Sequence, residues 1–186
     1  MNFISFSRPA FPSGRLRKRQ IECHGANADN LSEKLPIFAA VMNGNEEKYM
    51  RQALVQAMQA YEADEVPIGA VIVHDGRIIA RAYNMTEHLN DPTAHAEMQA
   101  ITMATEYIGG KYLCDCEIYV TVEPCPMCAA ALSWAQISRV VYGAPDPKRG
   151  YSLFSPSLLH PRTEVVPGVL EEECRQVITD FFKGKR

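Results

Sequence analysis

Three observations predict a three-layer α/β/α sandwich built on a mixed, roughly five-stranded sheet. β-rich runs alternate along the chain with segments whose apolar residues recur at helical spacing, the pattern of a sheet covered on both faces. Two of the β-rich runs flank a tight turn, so the sheet contains an antiparallel hairpin. With 186 residues, 47% of them hydrophobic, the chain is long enough for one domain with its own core.

The first helix is expected from about Asn45 to Glu62, where Met50, Ala53, Leu54, Ala57, Met58 and Tyr61 recur every three or four residues. Pro67 closes the connection that follows. Ile68–Val73 and Arg77–Tyr83 flank His74-Asp75-Gly76 and read as the hairpin. Asp91-Pro92-Thr93 combines a capping side chain with a proline that needs no donor, so it marks a helix start; Gly109-Gly110 stops that helix after about Ile108. Ile118–Val122 is a short apolar strand running into Pro124-Cys125, followed by a helix over about Pro126–Gln136 and a buried strand, Arg139–Tyr142. Residues 144–162, rich in Pro, Gly and Ser, read as a long functional loop with room for one helical turn. Thr163–Val166 is an edge-strand candidate, and an amphipathic helix closes the chain from about Leu170 to Phe182.

Charge is unevenly distributed. Residues 1–41 carry six Lys/Arg against three Asp/Glu, whereas the remainder is net acidic. Any nucleic-acid partner is therefore held by local patches and a shaped pocket rather than by a broadly basic surface. No apolar run approaches the roughly 18 residues of a membrane span. Residues 1–42 stand apart from a domain at 43–186: Arg8, Arg15, Arg17, Lys18 and Arg19 precede the first acid, Glu22. This segment fits a transit peptide, a basic arm for nucleic acid, or a reading frame whose true start is Met42. The six cysteines, without a secretory signal, fit a reducing, cytoplasmic setting better than a disulfide framework.

Two half-motifs carry the chemistry. His95-Ala96-Glu97 precedes Pro124-Cys125-Pro126-Met127-Cys128, the H-x-E…P-C-x-x-C arrangement of zinc-dependent base deaminases. Zinc prefers imidazole nitrogen and thiolate sulfur in tetrahedral geometry. Cys125 and Cys128 are three residues apart, so at a helix start their sulfurs share one face, where the free amides and the helix dipole favour thiolates. Three ligands leave a fourth position open, the mark of a catalytic zinc, and water there has its pKa lowered from about 15.7 toward about 7. Glu97 is the expected proton shuttle, taking a proton from water and passing it to the ring nitrogen and the departing amine. Residues two apart on a regular helix diverge, so His95 must precede the regular turns for both to face one ion.

Simpler readings fit less well. A redox Cys-x-x-Cys belongs to a thioredoxin-like pattern and needs no upstream His-x-Glu; a zinc ribbon needs a fourth well-spaced ligand. Cys23, Cys114, Cys116 and Cys174 read as buried, inert thiols, and His24, His74, His88 and His160 as surface or loop residues.

From about Glu47 to its C-terminus the chain resembles the bacterial tRNA-specific adenosine deaminases, of the cytidine deaminase superfamily. The resemblance rests on Asn84-Met-Thr-Glu-His-Leu-Asn-Asp-Pro-Thr-Ala-His95, on Val140-Val-Tyr-Gly-Ala-Pro-Asp146-Pro-Lys148-Arg-Gly150, and on the Gly168-Val-Leu-Glu…Asp180-Phe181-Phe182 ending. It implies a cytidine deaminase-like fold, one Zn2+ per subunit, and a homodimer that converts adenosine to inosine at the wobble position of a tRNA anticodon loop. It also implies that Asn84 contacts the flipped base, that Ile68 lines the base pocket, and that Asp146 lies near the nucleotide backbone. Pro145 replaces the arginine usual in the family, which removes one anticodon-arm contact. Lys148, Arg149, Lys183, Lys185 and Arg186 are candidates for phosphate contacts, although Lys183–Arg186 also fits a solvated tail; of Phe181 and Phe182, at least one belongs in the core. A guanine deaminase acting on the free base shares Asn-Asp-Pro-Thr-Ala-His and Glu-Pro-Cys-Pro-Met-Cys and is the nearest alternative. A non-catalytic zinc protein that binds RNA is another, and it would have no use for Glu97.

Overall fold

The computed structural model describes residues 35–155 and 158–185, with side chains from Asn45 onward. The N-terminal extension as far as residue 34, with Cys23 and His24, lies outside the described residues. Helix α1 (Leu35–Glu62) begins ten residues before the expected start, because the run Phe38-Ala-Ala-Val-Met42 is itself compatible with a helix and contains no proline. Its buried face is Tyr49, Met50, Ala53, Ala57 and Ala60, whereas Met58 and Tyr61, expected in the apolar stripe, are exposed. The helix lies so close to the sheet that a Cβ on Gly69 would collide with the Ala53 carbonyl. At that separation alanines fit and long side chains do not. The helix ends with Asp64 in the left-handed region (φ 62°) and the Glu65 amide returning to the Ala60 carbonyl at 2.9 Å, a Schellman-type closure that turns Glu65 inward.

Strands β1 (Gly69–His74) and β2 (Arg77–Tyr83) form the expected antiparallel hairpin. Asp75 and Gly76 both have positive φ (49° and 71°), as a two-residue primed turn requires. β3 (Cys116–Val122) pairs antiparallel with β1; β4 (Arg139–Ala144) and β5 (Glu164–Val166) continue the sheet in parallel, giving the order β2-β1-β3-β4-β5. The sheet is thus mixed and five-stranded, as expected.

Helices α2 (Ala96–Ile108) and α3 (Pro126–Trp134) cover one face, burying Ala96, Ala100, Ala104, Ala129 and Leu132 against Ile72, Ile118 and Val140. The other face carries α1 and α4 (Glu171–Gly184), with Tyr49, Met50, Val71, Tyr119, Val141 and Cys174 in contact. Neighbours such as Val71 and Ile72 enter opposite layers, the period-two alternation of a strand buried on both sides. The long loop after β4 contains one short 3-10 turn, Tyr151–Leu153. No helix among the described residues is long and apolar enough to cross a membrane.

The pairing register brings the C-terminal ends of β2, β3 and β4 to one edge of the sheet: Tyr83 stands opposite Gly69, and Val122 opposite Ala144. The loops leaving that edge lead into α2, α3 and the 144–162 segment, and every candidate site residue lies on or beside them.

Candidate active site

Two helix N-termini converge at this edge. His95 is the N-cap of α2 and has extended backbone (φ −69°, ψ 155°); Cys125 is the N-cap of α3, also extended (φ −71°, ψ 167°), with Pro126 opening the helix and Cys128 on its first turn. His95 therefore precedes the regular turns, as the His-x-Glu spacing demanded. The ligand atoms of His95, Cys125 and Cys128 all lie within 4.8 Å of one another. His95 Nδ1 is 3.6 Å from Cys125 Sγ and 3.5 Å from Cys128 Sγ. One ring nitrogen has at most one hydrogen and cannot donate well to two sulfurs at once. Zinc bonded to nitrogen and sulfur at the usual lengths in a tetrahedron gives N···S edges of about 3.6 Å. The donor set and its spacing fit zinc.

Glu97 lies in the first turn of α2 and is 4% exposed. Burial pushes its carboxyl up to about 7, and a hydrogen bond with the Cys128 thiol opposes that shift. The two thiols are strongly differentiated. Cys128 donates a hydrogen bond to Cys125, which pulls the Cys125 thiol down to about 4; the same bond, with burial, pushes Cys128 well above the usual thiol range. Hydrogen bonding to Cys125 also raises His95 above its ordinary value. The direction of the Cys125 shift favours the thiolate, the form that ligates a metal.

Around this centre the other expected residues fall at the same edge. Asn84 is buried just beyond β2, its backbone N–H donating to the Ile68 carbonyl at 3.0 Å; Ile68 is partly buried against the α2/α3 core. Asp146 stands at the start of the long loop and is half-buried; its Oδ1 accepts the backbone N–H groups of Lys148 (2.9 Å) and Arg149 (3.0 Å). Its carboxylate thus shapes the turn that carries the basic pair.

Two buried carboxylates escape sequence reasoning. Glu123 accepts the N–H of Asp146 at 3.1 Å and of Ser152 at 3.1 Å, and a Cβ on Gly150 would collide with it. It staples the long loop to the end of β3. Glu65 does the same for the segment that leads to His95. Glu123 sits beside Pro124 at a strand end, a faint signal in the sequence; Glu65 ends a polar run, Glu62-Ala-Asp-Glu65, that reads as solvated surface.

The remaining expectations divide. Phe181 is buried and Phe182 exposed. Lys185 is 2.9 Å from Asp64 and stacks over Phe181, and Lys183 is 3.7 Å from Asp180, so the tail lysines are engaged within the protein. Lys148 and Arg149 are exposed at the rim; Arg186 lies outside the described residues. Cys116 and Cys174 are buried free thiols as expected. Cys114 is only half-buried, its Sγ 3.8 Å from Gln136 Oε1.

Residues 43–144, which contain all three metal-ligand candidates and Glu97, match the family model described as the cytidine and deoxycytidylate deaminase zinc-binding region. The chain belongs to this deaminase family. Over 143 residues it is 50% identical to a tRNA-specific adenosine deaminase of Agrobacterium fabrum, covering 74% of this chain and 94% of the relative. To the tRNA-specific adenosine deaminase of Bacillus subtilis it is 45% identical over 146 residues, 76% of this chain and 91% of the relative. Among solved structures, one from a study of A-to-I editing by tRNA:A34 deaminases at the wobble position is 50% identical, with a TM-score of 0.66 over 70% of this chain and 98% of the other. A guanine deaminase from Bacillus subtilis is 44% identical, with a TM-score of 0.51 over 53% and 64% of the two chains. The deaminase fold and enzymatic class follow, and zinc, one ion per chain, is the cofactor its ligand set fits.

Proposed function

We propose that this deaminase hydrolyses the amino group of adenosine to give inosine at the wobble position of a tRNA anticodon loop. The observation that carries the reading is the near-complete coverage of relatives called tRNA-specific adenosine deaminases, at 50% and 45% identity, by a chain that keeps a complete His/Cys/Cys/Glu centre. His95, Cys125 and Cys128 are the proposed ligands; zinc bound by them supplies Lewis-acid activation of water. Glu97 is the proposed catalytic acid and base. Buried in the first turn of α2, two residues from His95, it is placed to take a proton from water and to move one to the ring nitrogen of the base and one to the leaving amine. Asn84 and Ile68 form the proposed base pocket, and Asp146, with the exposed Lys148 and Arg149, the rim along which the nucleotide backbone runs.

A base inside a duplex cannot bring its C6 to a buried centre, so the substrate is a flipped base from a loop. The net-acidic domain and the few basic side chains at this edge agree with a small footprint. We also propose that the enzyme works in the cytoplasm as a homodimer. Helices α2 and α3 pack beside one another and expose Met103, Tyr107 and Trp134, the last 83% exposed; apolar groups of this size on the outer side of a layer mark an interface.

A guanine deaminase is the second reading, favoured by the shorter match to the Bacillus subtilis guanine deaminase. One experiment separates the two. Purified enzyme is offered an anticodon stem-loop with adenosine at the wobble position, and free guanine alongside. Inosine in the RNA is expected; xanthine alone would replace this reading with the second.

A further inference from the structure

We propose that Glu65 is a positioning residue that sets the orientation of the Asn84 amide and anchors the approach to His95. Glu65 is 1% exposed and receives hydrogen bonds from four donors. Oε2 accepts from Asn84 Nδ2 at 3.0 Å, from Thr86 Oγ1 at 3.3 Å and from the Glu87 N–H at 3.2 Å; Oε1 accepts from the His88 N–H at 2.7 Å. A carboxylate has about four acceptor sites, so this one is filled from a single segment of chain.

A carboxylate only accepts, so the Asn84 side chain must turn its NH2 toward Glu65. The second amide hydrogen goes to Thr86 Oγ1 at 3.1 Å. Both hydrogens are thereby committed inside the protein, and the group Asn84 keeps for a ligand is its carbonyl oxygen. An acceptor at that point selects a donor, either an N–H of the base or a ribose hydroxyl. The same carboxylate anchors the turn after Asn84, whose other end is tied by the Met85 N–H to the Ala94 carbonyl at 3.0 Å, one residue before His95. Thus one buried acid, placed by the end of α1, holds both a base-recognition side chain and the backbone leading to a metal-ligand candidate.

The inference rests on the proposed function for its assay. Zinc content and kcat/KM on the stem-loop RNA are measured for wild type, Glu65→Gln, Asn84→Ala, the Glu65→Gln/Asn84→Ala double variant, Asn84→Asp and Asn84→Asp/Glu65→Gln. Glu65→Gln is expected to keep its zinc and its fold and to lose about 10- to 100-fold in kcat/KM, the range for one misdirected charged hydrogen bond. In the Asn84→Ala background the same change is expected to lose only about three- to fivefold, because the part that acts through Asn84 is already removed and only the anchoring of the Glu87 and His88 amides is left to lose. Asn84→Asp alone places two carboxylates face to face. Adding Glu65→Gln supplies an amide donor to the new carboxylate at position 84, which still presents an oxygen to the ligand, and recovers about tenfold over Asn84→Asp; a merely structural role for Glu65 predicts no such rescue.

The proposal is overturned by Glu65→Gln retaining turnover within about threefold of wild type, by losses that multiply independently in the double variant, or by absence of rescue. If Glu65→Gln does not fold, Thr86→Val removes the second acceptor of the same amide. A loss seen with Asn84 present and absent in the Asn84→Ala background supports the proposal, and unchanged turnover overturns it. If wild type leaves the RNA untouched and converts free guanine, the substrate reading fails and the same variants are judged by the same pattern on guanine.

Discussion

Two histidine–cysteine pairs sit at opposite ends of β3, and they differ in almost every property that matters for chemistry. Beyond the C-terminal end, His95 Nδ1 lies between two sulfurs at 3.6 and 3.5 Å, and Cys125 occupies a helix N-terminus with its thiol drawn down to about 4. At the N-terminal end, Cys116 Sγ is 3.8 Å from His74 Nδ1, across the β1–β3 pairing. Burial first, and then the nearby Asp115, Asp75 and Glu117, push that thiol up to about 12. Among the described residues no third ligand group joins this pair, and His74 Nδ1 is also 3.2 Å from the Asp115 carbonyl. Residue type and proximity are therefore insufficient. A metal centre also needs a third ligand and a local field that favours thiolate, and a helix start supplies that field where a strand start surrounded by acids does not.

The largest expected contrast is a ligand deletion. Cys125→Ala should abolish zinc binding and leave no measurable deamination, whereas Cys116→Ala should keep zinc and turn over within about twofold of wild type; elemental analysis with an inosine assay checks both. Next, Glu97→Ala should retain the metal and lose about 10³-fold or more in kcat. Unchanged turnover would remove Glu97 from the mechanism and favour a zinc protein that only binds.

Thiol chemistry sharpens the comparison directly. After chelation, iodoacetamide at pH 7 should modify Cys125 at least about 100-fold faster than Cys116 or Cys174, whose thiols are held up to about 12 by burial. Mass spectrometry of the digested protein reads the ratio, and equal rates would break the contrast. The smallest effect concerns stability. Glu97 has a folded value of about 7 against an ordinary value of 4.5, so its burial opposes folding once the unfolded chain ionises. That penalty is absent below about 4.5, grows between the two values and is complete above about 7. In metal-free protein Glu97→Gln should therefore raise Tm by about 5 °C at pH 8 and by much less at pH 5; the reverse order would contradict the burial argument.

The site is legible in the sequence to the extent that its chemistry is local. His95 and Glu97 are two apart, Cys125 and Cys128 three apart, and each pair straddles a helix start. Pro126 announces the start of α3, whereas α2 begins at Ala96, past the expected start at Asp91-Pro92-Thr93; Asp91 caps only its own turn, through Thr93, and His95 provides no side-chain cap. The hairpin is legible because it too is local, through Asp75 and Gly76. Glu65 and Glu123 are not. Their partners lie 19 to 29 residues away, and in the chain they look like any acid beside a turn. The buried stripe of α1 differs from its expected one for a related reason: its alanines form the inner face only because β1 comes so near.

The sequence by itself determined which side chains are able to ligate, shuttle protons and terminate helices, since those are properties of residue type and of spacing within one element. Only the tertiary structure decided that two helix starts meet at one edge of the sheet, that Asn84 turns its amide inward, and that Glu65 and Glu123 are buried beneath the loops of that edge. Those outcomes depend on distances across strands and on burial, which arise when the layers pack and exist nowhere in the chain before they do.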